Sequence, residues 1–248
     1  MRYLLLSDVH ANAVALAAVL RHAETKRWQE VLFLGDAVGY YPQPDEVIAT
    51  LSALPLAAAL LGNHDAMLLE PDAGGAATSV VTEVLGKQRK TLSASSRTFL
   101  KGLSRRAEAD GWEAVHSTLE GSWGYVDSLA RAQSEPARMS RPLLFFGHTH
   151  VPVIYLFTEH QGEWLSRSVP LTKEASSYRL PPNAQALVNP GSVGQPRDGV
   201  PLASYAVFDD QTRVLEHFRV PFDIRLVQQR VLAAGYPATL AARLERGR

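Results

Sequence analysis

The chain has 248 residues, enough for one large domain or one domain carrying an insert; 46% are hydrophobic and 20% charged, the balance of an ordinary globular protein. Its 25 basic and 25 acidic residues cancel, which argues against a partner of long nucleic acid, since duplex-binding proteins carry a basic excess. There is no cysteine, so disulfides, thiolate metal sites and a cysteine nucleophile are excluded, and any metal must take oxygen and nitrogen ligands.

The N-terminal apolar run Tyr3 to Leu6 reads as a strand buried on both faces. It is too short for a signal-peptide core or a membrane span, so a cytoplasmic location and no membrane partner are expected. Asn12 to Ala23 follows as a helix, Val31 to Leu34 as a strand, Asp45 to Leu54 as a helix after Pro42 and Pro44, and Leu56 to Leu61 as a third buried run. This βαβαβ order predicts parallel strands covered by helices. From about 66 to 111 the chain turns rich in Ala, Ser, Thr, Lys and Arg, with helices predicted over Thr82 to Lys90 and Ser95 to Leu103. The segment is read as a helical insert within a single domain spanning 1–248; it could cap the strand ends or simply cross the surface.

The second half is richer in strands. Candidates are Ala114-Val115, Gly124 to Val126, Leu143 to Phe146, Val153 to Thr158, Glu163 to Val169, Ala186 to Val188, Ala203 to Asp209 and Thr212 to Val220. Asp209-Asp210-Gln211 is a hairpin turn signal between the last two. Ile224 to Ala234 and a final stretch ending near Glu245 read as helices, separated by Gly235-Tyr236-Pro237. Two sheets packed face to face, with helices outside, accommodate this pattern.

Histidines and carboxylates fall where these strands end: Asp8 and His10, Asp36, Asn63-His64-Asp65, His116, and His148 with His150. Ligands in open α/β folds bind at the carboxyl ends of strands, so these blocks should converge. Clustered carboxylate oxygen and imidazole nitrogen suits divalent metals, and such a site can activate water. Asp8 and His10 are two apart, which would put both side chains on one side of an extended strand end; His148 and His150 repeat the spacing. Asp36 has two oxygens with which to bridge two ions.

Asp8-Val9-His10, Gly35-Asp36 with Gly39, Gly62-Asn63-His64-Asp65, His116 and Gly147-His148-Thr149-His150 occur in the order of the calcineurin-like metallophosphoesterases, and the chain resembles that family over nearly its whole length. Val38-Gly39-Tyr40 with Pro42, and Asn189-Pro190-Gly191-Ser192-Val193-Gly194, resemble its small bacterial and archaeal phosphodiesterase-like branch. Ser117-Thr118 departs from the Gly-Ser that often follows the corresponding histidine.

The resemblance implies an α/β fold, a four-layer α/β/β/α sandwich of two mixed β-sheets flanked by helices (the metallo-dependent phosphatase fold). It also implies two divalent metal ions, Mn in assays, with Fe, Zn, Co or Ni as alternatives. Asp8, His10, Asp36 and His150 would hold one and Asp36, Asn63, His116 and His148 the other. His64 would be the catalytic histidine, giving a proton or hydrogen bond to the leaving oxygen, with Asp65 holding its imidazole in one tautomer. The implied activity is hydrolysis of small phosphodiesters by a metal-bridging hydroxide, with phosphomonoesterase activity in addition.

Other activities open to the same residues are those of a phosphomonoester or protein phosphatase, or a dinucleotide polyphosphate hydrolase. Zero charge disfavours a nuclease, and a protein-binding scaffold of the same fold should have lost ligands that this chain keeps. The expected partner is a small phosphate ester, a nucleotide among the candidates; the oligomeric partner is unknown.

Substrate contacts are read from Asn12, a phosphate donor near a helix N-terminus or merely its cap, and from Gly191 in a glycine-rich turn beside the metals. Arg197 after that turn could clamp a phosphate, but a surface arginine is the preferred reading. Tyr40 and Tyr41 could stack on a base; packing against a loop is preferred. Lys87, Arg89 and Lys90 are read as a solvated helix face, and His22, His160 and His217 as structural or surface histidines.

Overall fold

The computed structural model describes residues 1–74, 77–161 and 163–248, apart from the His160 side chain. In chain order the first elements are β1 (Arg2–Leu6), α1 (Ala13–Ala23), β2 (Glu30–Phe33), α2 (Pro44–Ser52), β3 (Leu56–Ala59) and α3 (Asn63–Leu69). Then come α4 (Ser79–Thr91), α5 (Ala94–Lys101), β4 (Arg106–Ala109), β5 (Trp112–Val115), α6 (Leu129–Ala132) and β6 (Leu143–Phe145). The chain closes with β7 (Val153–His160), β8 (Glu163–Pro170), β9 (Ala175–Arg179), β10 (Ala184–Asn189), β11 (Ala203–Asp209), β12 (Val214–Val220), α7 (Ile224–Ala233) and α8 (Ala238–Leu244).

Among the described residues these strands form two six-stranded mixed sheets, ordered β3-β2-β1-β11-β12-β9 and β4-β5-β6-β10-β7-β8. The apolar runs are continuous because the central strands of each sheet are covered on both faces. In β1, Tyr3 and Leu5 enter the core between the sheets, while Leu4 and Leu6 face the helices. In and just beyond β2, Leu32 and Leu34 point inward and Val31 and Phe33 outward. In the second sheet Leu143 and Phe145 share the inter-sheet core, and Leu144 and Phe146 pack outside with Val126 and Ala132. The outer face of the first sheet is covered by Leu16 and Val19, Val47 and Leu51, Val84 and Leu85, Val227 and Val231, and Leu240 and Leu244. The α/β/β/α sandwich expected from the sequence is thus what the chain forms.

Several expected elements differ. Gly124 to Val126 forms no strand, whereas Arg106–Ala109 and Ala175–Arg179 do, both at or near sheet edges where half-exposed polar sequences suffice. The segment from 66 to 111 therefore ends in the first strand of the second sheet; its residues 75 and 76 lie outside the described residues. Arg89 is not part of a solvated face. Its guanidinium donates to the carbonyls of Leu68 (2.8 Å) and Met67 (2.6 Å), tying α4 to α3. Lys87 pairs with Glu83 one turn away at 2.9 Å. No described helix is long and apolar enough to cross a membrane.

The topology puts six strand ends together. β1, β2 and β3 run parallel, and so do β5, β6 and β10. Backbone bonds stitch the loops beyond them: Gly147 N–H to the His116 carbonyl (2.9 Å), Val193 N–H to Ser7 (3.0 Å) and Asp8 N–H to Gly35 (3.0 Å).

Candidate metal centre

Asp8, His10, Asp36, Asn63, His64, His116, His148 and His150 all converge at these strand ends and are buried or nearly so. The local route differs from the expected one. β1 stops at Leu6 and β6 at Phe145, so the Asp-x-His and His-x-His spacings are not read along a strand. Instead Asp8, His10, Asp36, His148 and His150 each adopt a left-handed backbone, with φ between +49° and +66°. Asp and His tolerate this region better than most residues, and concentrated local strain of this kind is characteristic of functional sites. The cross-loop bonds hold the conformation in place.

Among the described residues, three groups of donor atoms lie within 4.8 Å of one another: Asp8, His10 and His150; His10, Asp36 and His64; and Asp36, His116 and His148. Asp36 is central, with Oδ2 3.5 Å from His10 Nε2 and 3.4 Å from His116 Nε2. Its Oδ1 accepts the His64 backbone N–H at 2.9 Å. Asp8 accepts from Ser7 Oγ (2.6 Å) and from the His148 backbone N–H, which orients its carboxylate.

The histidine tautomers follow from the partners. His10 Nδ1–H donates to the Val38 carbonyl (3.0 Å), His150 Nδ1–H to Gln195 (2.5 Å) and His116 Nδ1–H to Leu34 (2.7 Å). Each therefore offers an unprotonated Nε2 when neutral. His148 donates through Nε2 to the Trp123 carbonyl (3.1 Å), which leaves Nδ1 free. Carbonyl partners of this kind set the orientation of metal-binding imidazoles.

As a result, the Nε2 lone pairs of His10 and His150 face each other at 3.1 Å, with Asp8 Oδ1 3.2 Å from His150. Three buried acceptors in contact repel unless a cation or a proton lies among them. Burial pushes the His10 and His150 imidazoles below their ordinary pKa, disfavouring the proton. Asn63 Oδ1, His64 Nδ1 and His116 Nε2 are likewise buried without hydrogen-bond partners. His116 behaves differently. Burial lowers its pKa, but the Asp36 carboxylate outweighs that and raises it to about 9. The donor set fits divalent cations: hard oxygens, imidazole nitrogens and orphaned lone pairs at one spot.

Three of the expected residues also make bonds that hold the loops together. Asp65 makes no hydrogen bond to the His64 ring; its carboxylate accepts the backbone N–H groups of Asp36 (2.9 Å), Val38 (3.1 Å) and Gly62 (3.0 Å). It splints the loop bearing Asp36 to the loop bearing His64. Asn12 is tied into the scaffold, with Oδ1 capping α1 through Ala15 N–H (3.1 Å) and one Nδ2 hydrogen donated to the Gly194 carbonyl (2.9 Å). The Gly191 N–H donates to Asn189 Oδ1 (2.8 Å); its φ is +80°, and a Cβ there would fall on the Ser204 side chain. The turn after it supports the site from behind, with Ser192 Oγ and Gly194 N–H both bonded to the Asp8 carbonyl. Replacing Asn12 with alanine should therefore cost about 1–2 kcal/mol of stability, the worth of a lost helix cap, measurable by urea denaturation.

Gly62 and Gly39 are close-approach positions. A Cβ on Gly62 would fall on the Asp36 carboxylate and backbone, and one on Gly39 (φ +103°) on the His64 ring. Gly62→Ala is expected to destabilise by about 1–3 kcal/mol through overpacking and to lower metal content with it; denaturation and elemental analysis would show both.

Some site residues had a weak sequence signal or none. Arg197 is not a surface arginine: it lies part-buried, with Nη2 donating to Tyr40 Oη and to Gln195 Oε1, both at 3.0 Å. Tyr40 packs against His10 and His64, with centroids 4.6 and 4.7 Å away, and Tyr125 stacks on His148 at 4.2 Å. Tyr41 is buried in the core, as the packing reading expected. His22 bonds Tyr205 Oη and His217 bonds Ser204 Oγ, both at 2.7 Å and outside the cluster; the His160 side chain lies outside the described residues.

Comparison with known proteins gives the same picture. An uncharacterized protein of Methanocaldococcus jannaschii is 29% identical over 254 residues, covering 98% of this chain and 97% of its own. The crystal structure of a metallophosphoesterase from Sphaerobacter thermophilus superimposes with a TM-score of 0.87 at 32% identity over 100% of both chains. A hypothetical protein from Pyrococcus horikoshii shares the fold, with a TM-score of 0.77 at 16% identity, covering 100% of this chain and 98% of its own. The calcineurin-like phosphoesterase superfamily domain matches residues 1–213, a span that contains every residue of the donor cluster, and the chain belongs to that family.

Proposed function

We propose that the protein is a metal-dependent phosphoesterase that hydrolyses small phosphodiesters and, more slowly, phosphomonoesters. One observation carries the reading: His10 and His150 point unprotonated Nε2 atoms at each other, 3.1 Å apart, beside the Asp8 carboxylate in a phosphoesterase-family chain. Asp8, His10, Asp36 and His150 are assigned to one cation, and Asp36, Asn63, His116 and His148 to a second, with Asp36 shared. Manganese suits this donor set, as do iron, zinc, cobalt and nickel. When bound, two such cations supply a water acidic enough to act as a nucleophile near neutral pH and neutralise charge on the phosphoryl oxygens.

The chain's own groups do the rest. The carbonyls of Val38, Leu34 and Gln195 hold three imidazoles in the tautomer that presents Nε2. His64 stands outside both ligand sets, with Nδ1 unpartnered. Burial lowers its pKa to about 4, Asp36 pulling it up and Arg197 pushing it down. At neutral pH it therefore meets substrate as an uncharged ring with one N–H, able to donate to the leaving-group oxygen. Thr78 and Val80, from the segment read as an insert, line a cleft with Tyr40, a position suited to walling the substrate.

The test is direct. Protein stripped with chelator and reloaded with Mn²⁺ should hydrolyse bis-p-nitrophenyl phosphate faster than p-nitrophenyl phosphate. A faster monoester would make it a phosphatase, and hydrolysis of neither would remove the enzymatic reading.

A further inference from the structure

A cleft of about 600 Å³ adjoins the donor cluster through Tyr40, which packs on His10 and His64; Thr78, Tyr125, Thr239, Arg197 and Arg243 also line it. Two guanidinium groups from distant parts of the chain meet at one ring there. Arg197 Cζ lies 5.7 Å and Arg243 Cζ 5.4 Å from the Tyr40 centroid. Among the described residues neither has an Asp or Glu carboxylate within 4.0 Å, whereas Arg219, more deeply buried, is paired with Asp198. Arg197 spends its bonds on the neutral oxygens of Tyr40 and Gln195, and Arg243 uses Nε alone to reach the backbone oxygen of Arg248, the last residue.

Two guanidinium groups facing one concavity give it a positive field that favours an anionic ligand. Their placement relative to the cluster is fixed. The Arg197 backbone N–H bonds the His150 carbonyl (3.4 Å), and the neighbouring Gln195 carbonyl takes His150 Nδ1–H, so this arginine is built onto the metal-facing loop. Arg243 arrives from α8, which lies beyond the span matched by the family domain. The cleft volume suits a small ligand that reaches past the scissile group. Guanidinium forks recognise phosphate bidentately, and the hydroxyls of Tyr40, Thr78 and Thr239 add donors around them.

We propose that this cleft is a second phosphate subsite, so that the substrate is a phosphate ester carrying another phosphate beyond the one cleaved. The proposal rests on the phosphoesterase reading above for the meaning of "cleaved", but the subsite itself is a binding claim. Calorimetric titration of the Mn²⁺-loaded protein with 1,3-propanediphosphonate and with propylphosphonate tests it, since neither is hydrolysed. The diphosphonate should bind at least about tenfold tighter.

Arg243→Gln and, independently, Arg197→Gln should each shrink that gap to within about threefold, while Arg167→Gln on exposed β8 should keep it. The two arginines sit on different elements, so if one variant misfolds the other still reads the subsite. Equal affinities in the wild type, or a gap untouched by both variants, would overturn the proposal. A further titration with adenosine α,β-methylene diphosphate assigns the source. Tighter binding than the simple diphosphonate supports a nucleotide, and equal binding supports a non-nucleotide bisphosphate at the same subsite. Failure of the phosphoesterase reading would show separately, as no hydrolysis of bis-p-nitrophenyl phosphate by the same preparation.

Discussion

Asp36→Asn should leave the protein folded but strip it of metal and of activity. The amide keeps an oxygen for the His64 backbone N–H, so the bond that Asp36 Oδ1 now accepts at 2.9 Å can persist. What is lost is the charge on Oδ2, which lies 3.5 Å from His10 Nε2 and 3.4 Å from His116 Nε2 and so faces both halves of the cluster. A neutral amide weakens the electrostatic pull on a divalent cation and, with its oxygen kept by the His64 N–H, puts a non-ligating NH2 where Oδ2 faces both halves. Outer-shell changes alone lower metal affinity by about 10–100-fold, and replacing a shared ligand should exceed that. Elemental analysis of the purified variant should show less than one ion per chain, with diester hydrolysis at background and a far-ultraviolet circular dichroism spectrum like the wild type.

His64→Asn should separate chemistry from metal binding. His64 is assigned to neither cation, its ring is clasped between His10 and Tyr40, and its Nδ1 has no partner in the protein. Removing a positioned proton donor lowers kcat by about 10²–10⁴-fold. Metal content should stay at the wild-type value and KM should change little, because the group acts on the leaving oxygen. The loss should also be smaller for p-nitrophenolate, a good leaving group needing little protonation, than for an alkoxide. Equal losses for both leaving groups would assign His64 to holding the phosphate instead.

Much of this arrangement is legible in the residues. Runs such as Tyr3 to Leu6 and Leu143 to Phe146 are continuous because each strand is covered on two faces, so the buried sheets and their order announce themselves. The donor residues are legible too, as they follow those runs directly. The means of convergence is not. Asp8 with His10 and His148 with His150 come together through left-handed turns beyond the strand ends, a conformation that cross-loop bonds impose and that no local pattern encodes.

Asp65 looked like a partner of His64 because it is adjacent in sequence. Three backbone N–H groups from two loops claim its carboxylate instead. Arg243 carried no signal at all, since its relation to Tyr40 spans about two hundred residues and depends on how α8 packs. The edge strands Arg106–Ala109 and Ala175–Arg179 were equally silent, because an exposed strand needs little apolar surface.

The central claim is that one buried cluster, bridged by Asp36, holds two divalent cations. Anomalous diffraction from crystals soaked in Mn²⁺ tests it most directly. Two peaks about 3.5–4 Å apart, one beside Asp8, His10 and His150 and the other beside His116 and His148, with Asp36 between them, are predicted. A single peak, or none within reach of Asp36, would contradict it.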